Sequence, residues 1–97
     1  MSRLEAHRRF VQRMKDNYPP GTRLVLLQMG DDSRPVEPNT RGTVAVVDDM
    51  GTLYCDFDNG RQLGLVPGED SFRKLTEQDL AEELKLTESE NFGMKMQ

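Results

Sequence analysis

The fold class this sequence predicts is mainly β: a small SH3-like five-stranded antiparallel barrel with an N-terminal and a short C-terminal α-helix. Three observations predict it. Five short apolar or β-branched runs lie between Thr22 and Leu75. One long polar stretch and then tight turn signals separate them, whereas a sandwich needs about seven such runs. The 97 residues suffice for one core with short flanking elements. The expected organisation is a basic amphipathic helix over 1–17, the barrel over 18–75, a short acidic helix over 76–86 and a flexible tail over 87–97.

In the first segment Leu4, His7, Val11 and Met14 recur at three- and four-residue spacing, while Arg3, Arg8, Arg9 and Arg13 fill other faces. Ser2 is the expected N-cap. Asn17-Tyr18-Pro19-Pro20-Gly21 ends the helix, because proline lacks the amide donor and restricts the residue before it.

Thr22 to Met29 reads as the first strand, and Gly30 to Arg41, with Pro35 and Pro38, as a long loop. Gly42 to Val47 and Thr52 to Phe57 form a predicted hairpin around Asp48-Asp49-Met50-Gly51. Asp58-Asn59-Gly60 predicts a type I′ turn into a fourth strand, Gln62 to Val66. Pro67-Gly68-Glu69-Asp70 reads as a further turn with one helical turn in it, and Phe72 to Leu75 as a brief fifth strand. Thr76-Glu77-Gln78-Asp79 has the form of a capping box, with Leu80, Ala81 and Leu84 following on one face of a helix to about Leu86.

The net charge of −4 is unevenly spread: Met1 to Asn17 carries +3, Tyr18 to Gly68 carries −3 and Glu69 to Gln97 carries −4. No run of about 18 apolar residues is present, and charges fill the start where a signal peptide needs apolar residues, so the expected location is cytoplasmic with no membrane contact. A single cysteine, Cys55, excludes an intramolecular disulfide and reads as a small buried hydrophobe.

The usual catalytic constellations are missing. His7 is the only histidine and lies far in sequence from Cys55. No spacing suits zinc and no phosphate-cradling loop is present. Asp31-Asp32 and Asp48-Asp49 lack the alternating ligands of a calcium loop and read as solvated turn residues. The expectation is a non-enzymatic protein with no catalytic residues, cofactor or metal.

From Tyr18 to Leu75 the chain resembles a small bacterial family, the DUF4314 domains of unknown function, often carried by phages and other mobile elements. The residues that carry this are Pro19-Pro20-Gly21-Thr22-Arg23, Gly42-Thr43-Val44, Val47-Asp48-Asp49, Asp56-Phe57-Asp58-Asn59-Gly60 and above all Leu63-Gly64-Leu65-Val66-Pro67-Gly68-Glu69-Asp70. The resemblance implies an SH3-like barrel and a mobile-element origin, with no assigned activity. Phe57 stands where a larger aromatic often precedes the Asp-Asn-Gly turn.

Small barrels are commonly binding platforms. There is no Trp, and Tyr54, Phe57 and Phe72, with Tyr18 at its edge, are the aromatics of the barrel segment, too few for a polyproline groove. The barrel segment has the wrong sign for nucleic acid. A protein partner, a second copy of the chain included, is therefore the first expectation, and nucleic acid held by the basic helix the alternative. The candidate contact residues are Leu4, Val11, Arg8, Arg9 and Arg13 on the helix and Pro67, Glu69 and Asp70 on the turn. Leu4, Val11 and Met14 form an apolar docking face, onto the barrel or across a dimer. The acidic Glu77-Asp79-Glu82-Glu83 segment is the expected neighbour of the helix arginines, in the same chain or in a second copy.

Overall fold

A computed structural model describes residues 2–30 and 34–85. The predicted tail over 87–97, Leu86 and the pair Asp31-Asp32 lie outside the described residues. One α-helix, α1 (Arg3–Asn17), precedes five antiparallel strands: β1 (Arg23–Gln28), β2 (Arg41–Val47), β3 (Leu53–Phe57), β4 (Gln62–Leu65) and β5 (Ser71–Lys74). Residues 77–85 form the carboxy-terminal helix. The strand order is β4-β3-β2-β1-β5, so the last strand returns beside the first.

The sheet is not a closed barrel, which corrects that part of the expectation. No pairing joins β4 to β5 among the described residues, and these four-residue strands are the two ends of the order. The sheet nevertheless curves. In a flat sheet its end strands would lie about 19 Å apart at roughly 4.8 Å per step. Here only five residues join them, and those fold back as a turn in which the Asp70 amide donates to the Val66 carbonyl at 2.9 Å. Leu65 from β4 and Phe72 from β5 accordingly meet one core, with Leu24, Leu26, Val44, Leu53, Cys55 and Phe57.

Two departures from simple alternation shape that core. The β2/β3 register shifts between Val44 and Val46, so Val46 faces solvent while Val44 and Val47 are both buried. The long β1–β2 loop also returns a residue to the interior: Val36 is 2% exposed. Its amide donates to the Met29 sulfur at 3.2 Å. A loop read as polar therefore contributes to the core.

The turns follow their chemistry with one correction. Gly60 has φ +90° and its amide donates to the Phe57 carbonyl at 2.9 Å. Asn59 keeps a negative φ, since Asn39 is the only non-glycine with a positive one among the described residues. A type I′ turn needs two positive φ angles, so the hairpin instead uses a turn followed by a glycine bulge.

Candidate functional site

Helix α1 starts where the sequence places it: the Ser2 hydroxyl accepts the Glu5 amide at 3.1 Å. Its carboxy-terminal half rests on the sheet. Val11 is buried, Met14 packs on the core, and Lys15 pairs with Asp49 at 2.8 Å. Phe10, which the helix periodicity did not single out, lies over Gly51, where a Cβ would come within 2.8 Å of its ring. Beyond the helix, Tyr18 meets Phe72 edge-on at 5.7 Å, and the Lys74 ammonium sits 5.3 Å from the Tyr18 ring.

The amino-terminal half of α1 has no such support. Residues 2–9 are all exposed, Leu4 at 58%. Leu4, His7, Arg8 and Val11 line one side of a groove of about 470 Å³ that Lys15 and Asp49 close. Arg9 and Arg13, one turn apart, stand with Ala6 and Asp16 along another depression. Of the predicted docking face, Val11 and Met14 are spent on the chain's own body, and Leu4 is left outward.

Within one chain, the acidic segment expected beside these arginines lies elsewhere. Thr76 and Asp79 form a reciprocal cap, the Thr76 amide donating to Asp79 Oδ2 at 2.9 Å and the Asp79 amide to Thr76 Oγ1 at 3.1 Å. The helix so started carries Asp79 and Glu83 to the sheet, not to α1. Glu83 accepts from Arg23 at 2.6 Å and from Arg41 at 3.1 Å, while Asp79 pairs with Arg73 at 3.0 Å and lies 4.0 Å from Arg41. Arg23 also grips Asp58 with both terminal nitrogens, at 2.8 and 2.7 Å, and donates to Thr43 at 3.1 Å. Arg3, Arg8, Arg9 and Arg13 make no ion pair among the described residues.

These contacts set the electrostatics. Asp58 and then Glu83 push the Arg23 guanidinium upward from its ordinary value. Arg23 in turn holds the Asp58 and Glu83 carboxyls below the usual range. Asp79 is held down to about 2, first by the Thr76 amide and then by Arg73.

The Pro67–Asp70 turn is a brace. Asp70 Oδ2 accepts the Val66 amide at 2.8 Å and Oδ1 the Gly30 amide at 2.7 Å, tying the exit of β4 to the exit of β1. Glu69 is exposed and Pro67 half-buried. Asp48 works in the same way, accepting the Met50 and Thr52 amides and the Tyr54 hydroxyl.

His7 and Cys55 stay apart, one exposed on α1, the other buried on β3. Burial, and then Asp56, push the Cys55 thiol up to about 12, so it stays protonated at neutral pH.

The arginine cluster on β1, β2 and β5 escaped sequence reasoning. Its signal was present: Arg23 and Val25, like Arg41 and Thr43, share a face by period two, and Asp79 and Glu83 share one by i,i+4. Nothing linear joins the two faces.

A family model described as a domain of unknown function, DUF4314, matches residues 7–75. The chain belongs to the DUF4314 family. The match begins inside α1, at His7, and so includes the half of the helix that docks on the sheet of this DUF4314 domain. No curated protein matches the chain.

Proposed function

We propose that this DUF4314 protein is a non-enzymatic interaction module that contacts a protein partner through the overhanging half of α1, with a second copy of itself as the first partner. The observation that carries the reading is Leu4, an apolar residue 58% exposed on a helix half whose residues 2–9 are all exposed among the described residues. In the adjoining groove Lys15 and Asp49 already pair with each other, while Arg8 makes no ion pair among the described residues and is left for a carboxylate of the second copy, which a two-fold pairing would supply reciprocally. Burial of Cys55 supports a packing role rather than a nucleophilic one. We read the sheet as an opened SH3-like barrel, supported by the return of β5 beside β1. An accessory role in a phage or other mobile element, in the cytoplasm, rests on the family resemblance and the single protected thiol. No helix among the described residues is long and apolar enough to cross a membrane.

Light scattering after size exclusion tests this. The expected result is a dimer that Leu4→Asp turns into monomers without loss of secondary structure. A chain that stays monomeric at every concentration, or a dimer indifferent to Leu4→Asp, rejects self-association through α1.

That Arg3, Arg8, Arg9 and Arg13 make no ion pair among the described residues favours a second reading, contact of α1 with nucleic-acid phosphates. A mixed-sequence duplex should then bind in a salt-sensitive way, and Arg9→Glu with Arg13→Glu should remove the binding. Retained affinity in that variant excludes it.

A further inference from the structure

Arg23, Arg41 and Arg73 come from β1, β2 and β5 and share one face of the sheet. Arg23 faces Thr43 across β1/β2, and Val25, two residues on, faces Arg41 on one side and Arg73 on the other. Glu83 is shared by Arg23 and Arg41, and Asp79 by Arg41 and Arg73. The cluster is therefore two anion positions, each between two guanidiniums. They lie one helical turn apart, about 6 Å at 1.5 Å per residue.

What fills these positions is lightly held. No residue of the carboxy-terminal helix is buried; Asp79 and Glu83 are half-buried, while Leu80 and Leu84 are 39% and 64% exposed. A helix this short does not persist alone. Its docking depends on ion pairs, which are individually weak at a surface and screened by salt. Beneath it Val25 is buried, yet it does not belong to the main core on the other face. Lifting the helix would uncover three guanidiniums around an apolar floor. Asp58, from the β3–β4 turn, would remain on Arg23 and keep it in place.

We infer that this face is a covered binding site for consecutive phosphates of a single nucleic-acid strand, with Asp79 and Glu83 occupying the phosphate positions when no strand is bound. Guanidiniums match phosphate oxygens in their bidentate geometry. Three of them across three strands span about 10 Å at roughly 4.8 Å per strand, more than one phosphate occupies. Between Arg41 and Arg73, Val25 would give an unstacked base an apolar contact once the helix is lifted, and the guanidiniums themselves can stack on its face, neither of which a duplex's paired bases permit. The site is separate from the arginines of α1.

Fluorescence anisotropy with a labelled mixed-sequence single-stranded oligonucleotide tests the inference on the full chain. Asp79→Asn with Glu83→Gln should tighten binding about tenfold at low salt, and salt should weaken it. Glu77→Gln with Glu82→Gln, the same charge change away from the arginines, should not. The gain should vanish when Arg41→Ala is added and survive Arg9→Glu with Arg13→Glu. In the unaltered chain, binding of the oligonucleotide should move the amide resonances of residues 77–85 toward unfolded positions. No gain from removing the two carboxylates, a gain that persists with Arg41→Ala, or a bound strand that leaves residues 77–85 undisturbed would each overturn it. Pyrophosphate binding to the uncovered variant without oligonucleotide binding would overturn the assignment to a strand.

Discussion

Asp70 and Gly51 show how single residues here do work that their immediate neighbours in sequence do not reveal. Asp70 holds the amides of Gly30 and Val66, one after β1 and one after β4, so a turn residue fastens two ends of the sheet. Asp70→Ala should cost about 1 to 2 kcal/mol, since two backbone donors lose a charged acceptor. Denaturant unfolding would measure it, and an unchanged midpoint would assign those donors to water. Gly51 is constrained twice, by φ +86° and by the Phe10 ring over it. Gly51→Ala should destabilise the fold by about 1 to 3 kcal/mol from the backbone alone. Because the new methyl meets Phe10, the variant should also loosen α1, visible as faster amide exchange over residues 10–17.

At the scale of elements, the two helices are held by different forces. The docked half of α1 buries Val11 and seats Met14 on the core, so salt and mild acid should leave it in place. The carboxy-terminal helix is held by carboxylates whose affinity for protons is lowered in the folded state. Their stabilising contribution is complete above the ordinary carboxylate range and is lost as pH falls through the depressed values. For Asp79 that window runs from 3.8 down to about 2. Glu83 shifts in the same direction. Amide resonances of residues 77–85 should therefore hold steady from pH 7 to about 5 and shift toward unfolded positions below about 4, ahead of those of β2 and β3. Simultaneous loss of all of them would show that the helix is not independently released.

At the scale of the whole molecule, one core integrates segments that the chain keeps far apart. Val36 comes from the loop yet is as buried as the strand residues around it. Val36→Ala should lower global stability by about 1 to 3 kcal/mol, in the single transition that also reports the strands. A separate, earlier transition in that variant would place the loop outside the cooperative unit.

The strand count, the end of α1 before Tyr18, the Ser2 cap, the Thr76/Asp79 box that starts the second helix and the burial of Cys55 were all legible from the sequence, because each depends on residues within a few positions or on local periodicity. Leu4 was legible as apolar, but not as the part of its stripe left exposed. How far α1 overlaps the sheet is settled by Phe10 meeting Gly51, forty-one positions later. The β2 bulge was hidden in a run of valines that satisfies either face. The barrel's failure to close was hidden as well, because whether β4 and β5 meet depends on the curvature of the whole sheet. Only the tertiary structure decided which arginines the acidic helix would satisfy. Charge counts added α1 to that helix, but ion pairing needs contact within about 4 Å, and the sheet face of Arg23, Arg41 and Arg73 reaches that helix where α1 does not.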